Sequence, residues 1–551
     1  MPRALTLKIA LLMVVAQAGD GRAESEPTQT ETPTELIAAV ETPAAPVAPA
    51  GGAADPLCAD DGRYDFSKVP PTRPLSRPGM FPFPPTGPGY YSLLDRLKGE
   101  YREGPPKYPY PPVILSPLPQ FDADWRFVDD PKYHPDFLER IKRIHVHDNW
   151  LLSTGGQMWF RYQDEYNSRL TETDNLYTLL RVRPYIDVWY KDRFRFFIEG
   201  IFADSVAEDL PPLITDVDLA DFQNLFIELK LGEVADKPVY ARIGRQEVNL
   251  GSLRLLAAPD WANARRTFQG ARVYRTGEKW NADLFWLQPV IPNASELNSV
   301  DNNQNFAGAW VTYKPKRGTY IDAYYLMLDN TNHVTQLGIQ RAPFTLHNIG
   351  GRYASDKDGK FLWETEGSIQ LGRRGPADLV AGMFSGGLGY HAKDLPWNPT
   401  LWAVYNYCSG DPDPNVGDFN TFNQLFPFIH YYMGWVDAVG RQNLNDVNIR
   451  LYSYPTKWIT LWLQYHHFWL AEQRDALYNI AGGASRRDPS GSAGRDIGQK
   501  AEIWSNFHLS KRTDLLLGYS YLWGGRFLEA TATPRQAVNS GIFYVGCSMR
   551  W

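Results

Sequence analysis

The chain of 551 residues has only three cysteines, Cys58, Cys408 and Cys547. So few, so widely spaced, supply neither a disulfide framework nor a Cys-based zinc site. Charge of one sign is also lacking: 56 basic and 62 acidic residues leave a net −6, too near balance for a nucleic-acid binder. Past the first residues there is no run of 18 apolar residues, so no helix anchors the chain in a bilayer. No glycine-rich loop follows a strand and opens a helix, and nucleotide or other cofactor binding has no support.

Aromatics, by contrast, are abundant, with 18 Trp and 31 Tyr among 14% Phe, Trp and Tyr. That suits the aromatic girdles of a membrane interface, and an aromatic-rich secreted β-sandwich is the competing class. The opening "MPRALTLKIALLMVVAQAGDGRAES" places Arg3 and Lys8 before an apolar core, Ile9 to Ala18, with Gly21 and Ala23 at the −3 and −1 positions before Glu24. Residues 1–23 therefore read as a signal peptide. Residues 24–135 hold 23 of the 42 prolines and read as a Pro-rich periplasmic extension, partly disordered. Its second half carries Tyr, Phe and Trp and suits either a flexible arm or a docked one. "DFLERIKRI", residues 136–144, has the apolar spacing of one short helix.

From residue 145 the pattern has period two. "GGQMWFRYQ" sets Met158, Phe160 and Tyr162 against Gln157, Trp159, Arg161 and Gln163, and "LLRVRPYIDV" sets Leu180, Val182 and Ile186 against Arg181, Arg183 and Asp187. About 18 candidate strands follow, among them residues 178–190, 193–203, 318–328 and 345–355. Every second connection is short, such as "YKDR", "RTGEK" and "YPTK", whereas residues 248–266, 409–442 and 470–496 are long. Loop lengths segregated by parity predict a transmembrane antiparallel β-barrel over residues 136–551, with short periplasmic turns and long extracellular loops. The expected location is the outer membrane of a diderm bacterium. Barrel closure pairs the last strand with the first. In "SGIFYVGCSMRW", Phe543, Val545 and Met549 are expected to face lipid, and Tyr544 and Arg550 the lumen. The final Trp551 is similar to the terminal aromatic that the barrel-assembly machinery recognises.

Five stretches, in order, resemble the alginate-export family of outer-membrane porins. They are "HPDFLERIKRI" with "STGGQMWFRYQDEYN", "ARIGRQEVNLGSLRLLAAPDWANARRTFQGARV", "YNYCSGDPDPNVGDFNTFNQLFP", "LQYHHFWLAEQRDALYN" and "DIGQKAEIW". The resemblance covers roughly residues 134–551. It implies an 18-stranded barrel with an Arg-lined constriction through which an anionic uronic-acid polymer passes outward, with periplasmic export components as further partners. Two positions depart from the family pattern. Gln269 stands where a carboxylate is usual, and Lys500 and Ala501 stand near a position where Glu and Asp are common.

Lumen parity holds Arg161, Arg181, Arg183, Arg195, Lys230, Arg242, Arg272, Arg352 and Arg450, with Asp187, Glu199, Glu228, Glu364, Glu366 and Asp446 opposite them. Arg245, Arg254, Arg265 and Arg266 cluster around the GRQ segment and its loop, where a constriction is expected. Arginine binds carboxylates through a planar, permanently charged fork, and an aqueous lumen keeps such groups ionised. Acidic neighbours moderate the affinity, which suits transit of a polymer carrying many carboxylates. A ladder of lumen salt bridges with no selectivity fits the same residues. Asp411, Asp413 and Asp418 are weak calcium candidates, lacking EF-hand spacing. Ser505 and His508 fall on opposite parities of one strand, so no Ser–His–acid set is visible and the expected activity is not enzymatic. The alternative within the same fold is a general or sugar-uptake porin.

Overall fold

Alternation sets the strands, and it runs opposite to that of a soluble sheet. Along Asn175–Tyr190, Tyr177, Leu179, Arg181, Arg183, Tyr185, Asp187 and Trp189 are buried, while Leu176, Pro184 and Ile186 between them are exposed. Ile186 is 47% exposed and Arg181 is 0%. Guanidinium groups inside and aliphatic groups outside mark a strand with lipid on one face and a polar lumen on the other.

The computed structural model describes residues 64–66, 69, 93–99 and 119–551, apart from 124, 130, 132, 317, 356–359, 393, 415, 457 and 511. These fall in one compact unit, Gly62–Trp551. The expected signal peptide and most of the expected Pro-rich extension lie outside the described residues. Eighteen long antiparallel strands form the barrel. The first six are β1 (Trp150–Tyr166), β2 (Asn175–Tyr190), β3 (Phe194–Val206), β4 (Asp218–Val234), β5 (Lys237–Gln246) and β6 (Phe268–Thr276). Then come β7 (Trp280–Ile291), β8 (Gln304–Tyr313), β9 (Thr319–Gln336), β10 (Ile339–Ser355), β11 (Phe361–Arg374) and β12 (Ala377–His391). The last six are β13 (Thr400–Cys408), β14 (Leu444–Thr456), β15 (Ile459–Leu470), β16 (Asp496–Ser510), β17 (Thr513–Gly524) and β18 (Ser540–Arg550).

Each strand pairs with its neighbour in sequence, and β1 pairs with β18 from Gln157↔Arg550 to Tyr166↔Gly541, closing the sheet. Trp551 extends that seam through two backbone bonds with Gly156, at 3.0 and 3.1 Å. A Cβ on Gly156 would lie 2.3 Å from the Trp551 ring, so only glycine leaves room there. The short connections, 191–193, 235–236, 277–279 and 511–512, share one end with the seam, and the long ones leave the other end. Residues 329–344, expected as a loop, instead continue β9 and β10. They reverse at Leu337 and Gly338, whose φ values of 48° and 75° are those of a tight hairpin turn.

The expected helix over 136–144 does not form. The Asp136 carbonyl accepts from the amides of Glu139 and Arg140, at 3.1 and 3.0 Å, giving a single turn. Arg143 then adopts φ 49° and Ile144–Val146 pairs with β1. Tertiary contacts override the local spacing: the Arg143 guanidinium donates to the carbonyls of Phe66 and Val69, which pack on Leu151, Trp189 and Tyr240 of the wall.

The main hydrophobic core sits inside the barrel. Residues 247–267 and 409–443, the β5–β6 and β13–β14 loops, fold inward and zip together. The Phe426 amide donates to Leu255 at 3.0 Å, that of Ala257 to Phe426 at 2.8 Å, and that of Phe428 to Leu253 at 2.8 Å. Leu255, Leu256, Phe422 and Tyr432 of these loops pack against the fully buried wall residues Trp310, Trp402, Trp462 and Trp504.

Candidate functional site

The inner wall and the inward loops share a lattice of charged groups. From β2, Arg181 reaches Asp260 of the β5–β6 loop at 2.8 Å, and Arg183 reaches Glu247 at 3.2 Å and Glu199 of β3 at 3.5 Å. Arg265 of the same loop bonds Asp260 and meets Glu247 at 2.9 Å. Further round, Arg195 grips Asp187 through two bonds of 2.7 Å, Arg242 meets Glu228 at 2.7 Å, and Arg272 meets Asp283 at 2.6 Å. Across the lumen, Arg254 binds Glu364 at 2.9 Å and Glu366 at 2.8 Å, while Arg352 binds Asp322 at 2.6 Å and Glu364 at 3.3 Å. Arg450 donates to Asn448 at 2.5 Å and to the Tyr432 carbonyl at 3.3 Å. Asp446 engages His466 at 2.9 Å.

These arginines face inward but do not stand in open water. The loops and residues 119–123 cover them, and Arg181, Arg254 and Arg450 are 0% exposed. Low exposure strengthens each pair and makes an unpaired partner costly. Within the β5–β6 loop, burial would raise Asp260, yet Arg181 and Arg265 hold its carboxyl below the ordinary range. Burial pushes Glu247 up, against the pull of Arg265 and Arg183. Arg266 has the carbonyls of Ala257 and Pro427 as acceptors, both at 3.2 Å, and burial brings its guanidinium down to about 10.

Arg161 differs from the rest. Its guanidinium lies between two indoles, 4.6 Å from the Trp159 ring of its own strand and 3.9 Å from Trp261 of the β5–β6 loop. His430 of the β13–β14 loop stacks on the far side of Trp261, with centroids 3.8 Å apart, and Arg181 stacks on the far side of Trp159 at 4.4 Å. Nε and Nη1 of Arg161 have no hydrogen-bond partner, and no carboxylate among the described residues is within ion-pair distance. Three nearby groups are also without partners: Tyr544 Oη, Trp435 Nε1 and His430 Nε2. Trp435 stacks on Tyr544 at 4.5 Å and meets Trp261 at 4.6 Å.

Three sequence readings are corrected. Arg245 has outward parity in β5, next to exposed Ile243, and bonds Asp221 at 2.8 Å and the Asn298 carbonyl at 3.1 Å, away from the lumen. The register partner of Arg245 in β6 is Gln269, and the carboxylate partner of Arg245 is Asp221. Asp411, Asp413 and Asp418 do not converge, and no metal-binding group of three or more His, Cys, Asp or Glu occurs among the described residues. Asp411 instead accepts the amides of Asp413 and Asn420, at 3.0 and 3.3 Å. Lys230 sits at the rim, bonded to Asp192 at 2.5 Å and Glu233 at 2.6 Å. The sequence reading missed Glu247, Asp260, Trp261 and Arg441, whose guanidinium donates to the Arg254 carbonyl at 3.1 Å. Asp260, Trp261 and Arg441 lie in long segments without periodicity, and Glu247 ends the expected strand before the first of them.

A closed 18-stranded barrel, apolar outside and charged inside, defines an outer-membrane channel protein of the porin class, placed in the outer membrane of a Gram-negative bacterium. The chain belongs to the alginate export family, whose sequence model matches residues 150–542. A comparison with curated proteins finds no match. Among solved structures it is similar to three Pseudomonas aeruginosa proteins. OccD3 (OpdP) has a TM-score of 0.48 and 10% identity, covering 72% of this chain and 91% of that one. OccK2 (OpdF), in complex with glucuronate, has a TM-score of 0.47 and 11% identity, covering 74% and 99%. The outer membrane protein OpdK has a TM-score of 0.47 and 11% identity, covering 72% and 99%.

Proposed function

We propose that the protein is a passive channel, not an enzyme, exporting an anionic, alginate-like polysaccharide, with inner-wall arginines as its carboxylate contacts. Family membership supports a polysaccharide as cargo. The observation that carries the anionic part is Arg161: a permanently charged, buried guanidinium facing inward, with Nε and Nη1 lacking any acceptor. A structural ion pair would have supplied one. Indoles on both faces leave the edge of the guanidinium as the place for a carboxylate. The ion-paired arginines exchange one carboxylate for another as the polymer moves, which keeps each contact weak enough to release. Barrel-assembly machinery acting on the C-terminal strand and periplasmic export components complete the proposed partners.

The test is block of single-channel current in planar bilayers. Uronate oligomers are expected to block at concentrations at least tenfold lower than neutral oligosaccharides of equal length, a difference of about 1.4 kcal/mol. Equal block by both supports the general-porin alternative and defeats the proposal.

A further inference from the structure

We propose that the inner wall at the short-turn end carries a binding site for a carboxylate-bearing sugar ring, occupied here by residues 119–123 of the same chain. The inference rests on the anionic-polysaccharide reading above. Three neighbouring strands each give one ring to its floor: Tyr185 from β2, Phe197 from β3 and Phe226 from β4. Tyr185 and Phe197 stack with centroids 5.7 Å apart and planes 22° apart, and Phe197 and Phe226 stack at 5.3 Å and 18°. Parallel, offset rings across three strands make a stepped apolar platform against which a pyranose packs.

Two guanidinium groups flank the platform. Arg195 is oriented by Asp187, and Arg242 by Glu228. Arg242 is 2% exposed, yet its Nη1 has no hydrogen-bond partner.

The occupant imitates a sugar contact by contact. The Phe121 ring, 2% exposed, stands edge-on to Phe197 at 5.5 Å and to Phe226 at 5.2 Å. The Phe121 carbonyl accepts from Arg195 at 2.8 Å, where a carboxylate oxygen would sit. The Gln120 amide donates to Glu199 at 2.7 Å and to the Arg183 carbonyl at 3.0 Å, as a sugar hydroxyl does. Its carboxylate at Asp122 attracts Arg242 through space. Arg242 lies over the Phe121 ring at 4.4 Å and over Phe226 at 4.2 Å, and its Nη1 has no hydrogen-bond acceptor. A uronate sets a carboxylate directly on that Nη1 and competes for the same rings, so it displaces the segment.

The experiment is current block of the full-length channel in planar bilayers by a glucuronate trimer added on the short-turn side. If the segment fills the site in nine molecules of ten, Phe121→Ala lowers the half-blocking concentration by about tenfold. Gln120→Ala lowers it by a smaller factor, and adding Phe226→Ala to Phe121→Ala reverses the gain. Unchanged half-blocking concentrations for both single variants, in barrels that still migrate as compact bands in cold detergent, overturn the proposal. So does an equal gain for a neutral trimer, because Arg242 then recognises no carboxylate. If the trimer binds more tightly to Phe121→Ala while uronate polymers never traverse the channel, the site stands and the export reading falls.

Discussion

Arg352 and Arg161 face the same lumen, from β10 and β1, but are held in different ways. Removing Arg352 leaves buried Asp322 without its ion partner and Glu364 with one fewer, so Arg352→Gln is expected to cost about 3–5 kcal/mol. Arg161→Gln breaks no ion pair and gives up stacking on two indoles, about 1–2 kcal/mol. Urea unfolding of the two variants, read by mobility in cold detergent, checks the order, and equal losses would contradict it. Neutralising Arg183, Arg242 and Arg352 together would therefore confound selectivity with stability. The inward parity of Arg181, Arg183 and Arg352 was legible because a strand allows only two directions. Their partners were not. Asp260 meets Arg181 from 79 positions away, on a loop whose sequence has no period to show which way it turns. Arg245 was misread for a related reason, since proximity in sequence to the GRQ segment does not fix the face of the sheet.

At the scale of elements, the seam and the docked N-terminal segment carry separate expectations. Gly156→Val should reduce the yield of folded barrel several-fold, whereas Gly232→Ala, with nothing within 4 Å of the added atom, should leave it unchanged. Comparing heat-modifiable protein in outer-membrane fractions decides this, and equal yields would remove Trp551 from the closure. Lys142, in the turn before β1, donates to Thr154 at 2.5 Å, Trp551 at 2.8 Å and Tyr185 at 3.0 Å. Burial, helped by nearby Arg512, brings its pKa from 10.5 to about 7. The docked turn thus binds fewer protons than a released one. Docking should strengthen as pH rises from about 7 towards 10.5 and be level below 7. Relative to Lys142→Met at each pH, protease resistance of residues 119–143 should increase between pH 7 and 9, and a decrease would reverse the assignment. Strand elements were readable because outward apolar residues mark them. Asp329, Asn330 and Asn332, polar and near the end of β9, concealed its continuation beyond the apolar belt. Phe121 was hidden in a proline-rich stretch whose composition favours no partner.

For the whole molecule, the barrel supplies a rigid wall, and the zipped β5–β6 and β13–β14 loops keep the wall arginines covered. A polymer can touch those arginines only when the loops part. Cysteines at Leu253 and Phe428, whose backbones are bonded at 2.8 Å, should lock them. Under oxidation the doubly substituted channel is expected to lose block by uronate oligomers, and reduction should restore it; insensitivity to reductant would show that the loops do not move. The most direct test of the anion-transport reading is the reversal potential under a potassium chloride gradient for wild type and Arg161→Gln. Wild type should show anion preference at low salt, Arg161→Gln should lose a substantial part of it, and the difference should fade near 1 M, where the Debye length is about 3 Å. The same reversal potential for both proteins at low salt, with folding intact, would contradict the account.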